Sequence, residues 1–371
     1  MLRKKSCLMV LSFLLLFFLA SCEALSNTAL LVSIQENEIE KVADLRSIPG
    51  APFTQEQQIG GWYFTSPYED STSLHLVYMP FKNNEPEEIE SIHYLKLNPL
   101  TQEFTSQEVF SELNPRLKQS LGFFDGVCWV TEDQKILTSD LSTGGIVSYD
   151  LIQQKSSQSK PLVNSSRISS FYLKDQSLYF VKEQTVKEET QRTLYSIDYP
   201  SLDPSTLNEL YRMEVIRRKE GQKEEVQNGF SKISHIEGEK IYGTFNYHTP
   251  SEEGTISTTG VAEINLSDQS ERIVFQRKTR EMTEQGEILC YAFLNPNGAW
   301  FGKYWMIEES IKAEDTWQKR HHIYDSTAQL QLIVEVGSNN KQRYFLKTHP
   351  DGTYLYWLDD FVLYRWKTPL T

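Results

Sequence analysis

The stretch Gln342–Lys367, QRYFLKTHPDGTYLYWLDDFVLYRWK, holds three short runs rich in Tyr, Phe, Leu, Val and Trp. These residue types suit a pleated, half-buried surface. Pro350-Asp351-Gly352 separates the first two runs. Pro presets φ, Asp bonds its own backbone, and Gly takes a positive φ. Asp359-Asp360 separates the second run from the third. The stretch reads as an antiparallel meander of three strands.

Working outward, a pattern of four runs recurs upstream. The first unit takes Ile59–Phe64, Ser73–Met79, Ser91–Leu97 and Thr105–Phe110. The second takes Leu121–Val130, Lys135–Thr138, Ile146–Leu151 and a weak run at Ser156–Val163. Ile168–Lys174, Ser177–Lys182, Thr193–Tyr199 and Glu209–Met213 form the third. Phe230–Ile236, Lys240–Tyr247, Val261–Leu266 and Arg272–Gln276 form the fourth. Ile288–Leu294, Ala299–Met306, His321–Asp325 and Leu330–Val336 form the fifth, and the closing stretch is the sixth. The spacing of about 50–60 residues is that of propeller blades. Turn residues recur at one position of the unit, as Lys174-Asp175-Gln176, Glu237-Gly238-Glu239, Asn295-Pro296-Asn297-Gly298 and His349-Pro350-Asp351-Gly352. The pattern predicts an all-β chain, a single six-bladed β-propeller domain over 29–371, with seven blades as the competitor. The last unit has only three runs, and an open ring would leave an exposed edge. The apolar run Ala29–Gln35 is the expected closing strand; Glu38–Leu45 suits a helical turn as well as a strand.

Thr348-His349-Pro350-Asp351-Gly352-Thr353-Tyr354-Leu355-Tyr356 resembles the S-P-D-G-x-x-L motif of TolB-type (WD40-like) propeller repeats, with Asn295-Pro296-Asn297-Gly298-Ala299-Trp300 as a degenerate second copy. The resemblance implies a propeller and an envelope setting, and it carries no catalytic residues.

The N-terminus reads as a targeting segment. Arg3-Lys4-Lys5 is a basic n-region, and Cys7–Leu19 is an apolar core too short for a comfortable membrane span. Leu19-Ala20-Ser21-Cys22 resembles the lipobox of bacterial lipoproteins. That resemblance implies a signal peptide over 1–21, lipid (palmitate) on Cys22, and a membrane-anchored, extracytoplasmic protein of the bacterial cell envelope. Residues 22–28 then form a short linker. Removing residues 1–21, which carry three cations and no acid, takes the net charge from −13 to −16. Such acidity repels nucleic acid and anionic lipid.

Little in the sequence points to catalysis. His321-His322 is the only His pair, and neighbouring strand positions face opposite ways, so no metal site is expected. No Gly-rich phosphate loop or G-x-S-x-G elbow occurs, and no cofactor or catalytic residue is assigned. Cys128 and Cys290 fall on first runs of units two and five, opposite in a six-blade ring, which predicts two free, buried thiols.

The informative feature is loop length. Lys82–Glu90, Glu183–Arg192, His248–Gly260 and Ile307–Arg320 read as long loops between second and third runs. Their central segments carry −3, −1, −2 and −3, more than half of the mature charge. Trp317 lies within one loop, and Tyr247, His248 and Trp305 are expected beside the same rim. The expected function is a monomeric, lipid-anchored module that binds a protein or glycan through this face. The alternative is a glycan-active hydrolase or lyase with carboxylates at the channel mouth. If Ala29–Gln35 closes the ring, the anchor holds the opposite face to the bilayer; if Glu38–Leu45 closes it instead, with Ala29–Gln35 running the other way outside it, that orientation inverts.

Overall fold

The computed structural model describes residues 30–33, 38–47, 60–64, 73–80, 89, 91–125, 128–162, 167–186, 189–213, 216–220, 223–227, 229–251, 254–280, 290–293, 300–301, 304–313, 316–325, 329–336, 344–348, 354–359 and 361–369. Within them the chain is all-β. β1 (Leu30–Ser33) and β2 (Glu40–Asp44) come first and join strands far along the chain. Sheet I is β3 (Gly60–Phe64), β4 (Leu74–Pro80), β5 (Ile92–Leu97) and β6 (Phe104–Val109). One helical turn, α1 (Pro115–Gln119), leads to sheet II, with Pro115 in its first turn and the Asn114 side chain accepting from the Leu117 N–H at 2.9 Å. Sheet II is β7 (Cys128–Val130), β8 (Lys135–Asp140), β9 (Gly145–Asp150) and β10 (Lys155–Gln158). Sheet III is β11 (Arg167–Lys174), β12 (Ser177–Val186), β13 (Glu189–Asp198) and β14 (Asn208–Arg212).

A separate hairpin, β15 (Ile216–Glu220) and β16 (Lys223–Gln227), precedes sheet IV. Sheet IV is β17 (Lys232–Glu237), β18 (Lys240–Ser251), β19 (Gly254–Asn265) and β20 (Ser270–Arg280). Sheet V contains β21 (Cys290–Phe293), β22 (Trp300–Phe301), β23 (Tyr304–Ala313), β24 (Thr316–Asp325) and β25 (Leu330–Val336), with β1 added beyond β25. Sheet VI is β26 (Tyr344–Thr348), β27 (Tyr354–Asp359) and β28 (Val362–Lys367), with β2 as its fourth strand.

Alternation within each strand explains how the sheets stack. Successive strand residues face opposite ways, and here both faces are buried. On β4, Val77 and Met79 pack with Val130, Ile136 and Val147 of sheet II, whereas Leu74, Leu76 and Tyr78 pack with Tyr356 and Leu363 of sheet VI. On β8, Ile136 joins the cluster shared with sheet I, and Leu137 joins the cluster shared with sheets III and IV. Leu355 packs with Ile323, Leu332 and Val334 of sheet V, while its neighbour Tyr356 faces sheet I. Each fully buried side chain of this kind contributes about 1.5–3 kcal/mol.

Four expectations are corrected. The fourth strand of the last sheet is β2, antiparallel to β28, and not Ala29–Gln35. Its Glu40 holds Arg365 at 2.6 and 2.7 Å, Val42 is buried, and the Leu45 N–H donates to the Phe361 carbonyl at 2.8 Å. β1 instead pairs in parallel with β25, Leu30 opposite Leu332 and Ser33 opposite Glu335. In unit five the expected second run Ala299–Met306 is not one strand: its Trp300-Phe301 (β22) pairs back on Tyr304-Trp305, and β21 pairs beside Glu308–Ile311 of the same long strand. Phe301 pairs with Tyr304, so the first and second strands of the unit meet there and not at Asn295–Gly298, which lies outside the described residues. In unit two, Leu121 makes an isolated bridge to Asp140 and residues 122–125 form a 3-10 turn, leaving only Cys128–Val130 as strand. The Lys174–Gln176 turn stands where expected, with Asp175 and Gln176 at φ 47° and 60°. Residues 1–29, Pro350-Asp351-Gly352 and most of Lys82–Glu90 lie outside the described residues.

Candidate functional site: a raised rim on sheets III to V

Three of the four stretches expected to be loops are strand. Glu183–Arg192 continues β12 into β13, with pairing running to Val186 opposite Glu189. His248–Gly260 continues β18 into β19, paired to Ser251 opposite Gly254. Ile307–Arg320 continues β23 into β24, paired to Ala313 opposite Thr316. In each hairpin the last paired positions are separated by two residues in the sequence. Two-residue connections match the twist of paired strands, which lets such hairpins extend without a loop. The Thr- and Ile-rich run Thr255-Ile256-Ser257-Thr258-Thr259 supplies β propensity without the apolar alternation that marks a core strand. Of the fourth stretch, Ile89 is described, and it is buried.

Two more pieces belong to this rim and escape a reading for apolar runs. β20 extends to Arg280, opposite Ile256. The inserted hairpin β15–β16 enters from the connection between sheets III and IV, and β16 lies against β18. Its sequence looks like a solvated loop, but its charges mirror one another. Register sets Arg218 opposite Glu225, Lys219 opposite Glu224 and Glu220 opposite Lys223. Opposite charges across a strand pair stabilise it by about 0.2–1 kcal/mol each. That mirror symmetry about Gly221-Gln222 was the available signal.

The expected site residues fall in different places. Tyr247 and His248 lie on β18, opposite Thr258 and Ser257, beyond the point where β17 stops pairing at Thr244. Trp317 lies beside the tip of its hairpin, opposite Lys312. Trp305 does not border the rim. It stands at the far end of β23, in register with Trp300 and Tyr324. The structure therefore leaves three of the four on the raised part, in two sheets.

Nor is the rim uniformly acidic. Arg277, Lys278 and Arg280 of β20 lie opposite Thr259, Thr258 and Ile256, with no acid across the strand. The base of the rim is pinned by Arg192, whose Nε donates to Glu183 Oε1 at 2.7 Å while Nη1 reaches the Gly229 carbonyl at 3.3 Å. Both side chains of this pair are mostly buried, 15% and 17% exposed. Removing either alone would strand a buried charge.

The buried carboxylates among the described residues, Asp140 and Glu263, sit in separate cages. Asp140 accepts from the Ser120, Ser142 and Thr143 hydroxyls, the Ser142 N–H and the Gln158 amide at 2.6–3.0 Å. Burial pushes its carboxyl up, but the bonds from Ser142, Thr143 and Ser120 outweigh that and hold it below the usual carboxylate range. Glu263 takes two bonds from Arg272 at 2.9 and 2.8 Å, and this lowers it. Their partners are hydroxyls, an amide and cations rather than a second acid. Among the described residues, no group of three or more His, Cys, Asp or Glu is placed to hold a metal, and no helix is long and apolar enough to cross a membrane. His321 and His322 are both buried in β24. Cys128 is a free, buried thiol whose pKa burial raises. Cys290 belongs to a different sheet, V, and its side chain lies outside the described residues, as does Cys22.

No known protein family matches the chain, and no curated protein does. Among solved structures it is similar to the β-propeller domain of Nup133 from Vanderwaltozyma polyspora (10% identity, TM-score 0.40, covering 85% of this chain and 84% of that one). It is also similar to a luciferin-regenerating enzyme (11% identity, TM-score 0.37, 90% and 95%). A calcium-binding protein, regucalcin from Agrobacterium tumefaciens, gives 12% identity and a TM-score of 0.35 over 91% and 95%. Likeness of this degree fixes nothing about the chemistry of this chain.

Proposed function

We propose that the chain is a lipid-anchored binding or assembly module of the bacterial cell envelope, a six-bladed propeller that meets a protein or glycan through its raised rim. The sharing of cores supports the ring. Sheet I packs with II, II with III and IV, V with VI, and VI with I, while β20 lies against β21 to link IV with V. Six sheets stacked in a closed cycle leave no end sheet with an uncovered face, and their remaining edges are short.

The observation that carries the binding reading is the direction of the extra strand length. Hairpins of sheets III, IV and V, and the inserted hairpin between III and IV, all extend from connections on one side of a propeller, those joining second to third strands and fourth to first. An anchor at Cys22 leaves that side free. β1 runs parallel to β25, which starts at Leu330, opposite Tyr324 and away from the Ala313–Thr316 tip. The chain thus enters β1 at the end opposite the tips. The linker from Cys22 spans roughly 25 Å at most, so the tips point away from the bilayer.

Cys22→Ala tests the anchor. It is expected to leave an uncleaved precursor without label from radioactive palmitate; persistent labelling overturns the lipid assignment. Limited proteolysis of membrane-bound protein tests the orientation. First cuts are expected at 187–188, 252–253 or 314–315, and first cuts at Lys174–Ser177 with protected tips contradict it.

A further inference from the structure

Away from the rim, sheets II and III do not close on each other completely. Leu137 of β8 and Ile146 of β9 are buried in the core shared with sheet III. The outer positions of the same face carry hydroxyls instead. Register runs Leu137 to Ser148 to Ser157 across three strands, and Ile146 takes a hydrogen bond from its N–H to Ser159 Oγ at 2.9 Å. Among the described residues, no strand of sheet III lines this half. The turn Tyr199–Leu202 leans over it and leaves a pocket of about 200 Å³, floored by Leu137 and Ile146 and walled by Ser148, Ser157, Tyr199 and Pro200.

The walls are built rather than incidental. The Tyr199 hydroxyl donates to Asp133 Oδ1, which Thr131 Oγ1 also reaches, both at 2.5 Å. The Lys135 ammonium bonds Asp133 Oδ2 at 2.6 Å and stands 6.0 Å from the Tyr199 ring centre. The ring is therefore fixed in place, and the cation at the mouth is already neutralised. On the other wall Ser148 and Ser157 share one hydrogen bond at 2.7 Å, which leaves one hydroxyl proton and several lone pairs for a ligand.

We propose that this pocket binds a neutral, polyhydroxylated ring of monosaccharide size. An aromatic face and a proline suit the C–H face of such a ring, and hydroxyls opposite them give and accept hydrogen bonds in both directions. The volume lies below the 300–1,000 Å³ typical of larger ligands, which limits the occupant to one ring. With Lys135 paired to Asp133, the pocket offers an anion no free charge. The site lies on the outer part of sheet II beneath the Tyr199–Leu202 turn and does not depend on the rim.

The test is saturation-transfer NMR on the full-length protein in a detergent without a sugar headgroup. The probes are methyl glucoside, methyl galactoside and methyl N-acetylglucosaminide, with glucose 6-phosphate as the anionic counterpart. At least one neutral glycoside is expected to show transfer and to bind more tightly than the phosphate. Ser157→Phe fills the pocket from an exposed position and is expected to abolish transfer without lowering the melting temperature. Tyr199→Phe, which keeps the ring, is expected to retain binding, whereas Tyr199→Ala weakens it by at least about tenfold. Transfer from no neutral glycoside, transfer that survives Ser157→Phe, or preference for the phosphate each overturns the assignment.

Discussion

Among the described residues, the connection between second and third strands takes two contrasting forms. In sheet II it is a short turn closed on itself. Asp140 gathers Ser142, Thr143 and Gln158, and the Gly144 N–H returns to the Asp140 carbonyl at 2.8 Å. In sheets III, IV and V the same connection grows into hairpins whose strands run 10 to 12 residues. The lower halves of the two kinds are alike. Leu137 in β8, Phe180 in β12 and Ile241 in β18 are all fully buried. The overhangs follow another rule, with Thr, charge and cross-strand pairing in place of apolar alternation. The fully buried apolar side chains named here belong to the shared half.

Substitutions separate the two halves, beginning with the largest effect. Phe180 is fully buried and stacks on Tyr195 with ring centres 5.6 Å apart. Phe180→Ala is expected to cost about 3–5 kcal/mol in denaturant melts. Asp140→Ala removes the group that closes the short turn and strands several donors, a loss of about 1–3 kcal/mol. If that variant melts like the parent, the short turn is not held by its cage.

Acid provides a finer test within the shared half. Burial, aided by the nearby Lys174 charge, lowers His235 from its ordinary 6.5 to about 4. Between those values the unfolded chain holds the proton and the folded chain does not. The neutral imidazole's contribution is therefore full above about pH 6.5 and is lost as pH falls toward 4. His235→Gln is expected to flatten the fall in melting temperature across that window; an unchanged slope contradicts the assignment.

The smallest effect on stability is expected at the overhang. Replacing His248–Ser257 by Asn-Gly joins Tyr247 to Thr258 through a two-residue turn of the favoured type. Unfolding free energy is expected to stay within about 0.5 kcal/mol of the parent, as for surface changes remote from the core. A loss comparable to Phe180→Ala would show that the overhang belongs to the core after all.

The same division sets what the sequence discloses. Units three and four are legible because aliphatic alternation coincides with turns that need positive φ, at Asp175, Gln176 and Gly238. The closing strand is misread for a physical reason. Ala29–Gln35 is the more apolar run, but the outermost position of a sheet buries little. Glu40–Asp44 buries only Val42 and gains its hold from Glu40 on Arg365. Apolar content ranks the wrong candidate there. The overhangs read as loops because Thr and charged residues carry no period to follow. Trp305 stands two residues before Ile307–Arg320 in sequence, but the strand carries it to the end of the sheet opposite the hairpin tip. The pocket between sheets II and III depends on Tyr199 meeting Ser157 across separate sheets, which no local pattern contains.

In-cell photocrosslinking reads the proposed division of labour most directly. A benzophenone amino acid is placed at Thr185, Thr249 or Lys312 on the overhangs, and at Asp175 or Gly238 in the turns at the other end of sheets III and IV. The account predicts discrete partner adducts from the overhang positions, and none from the two turns. Adducts confined to Asp175 and Gly238 would contradict it.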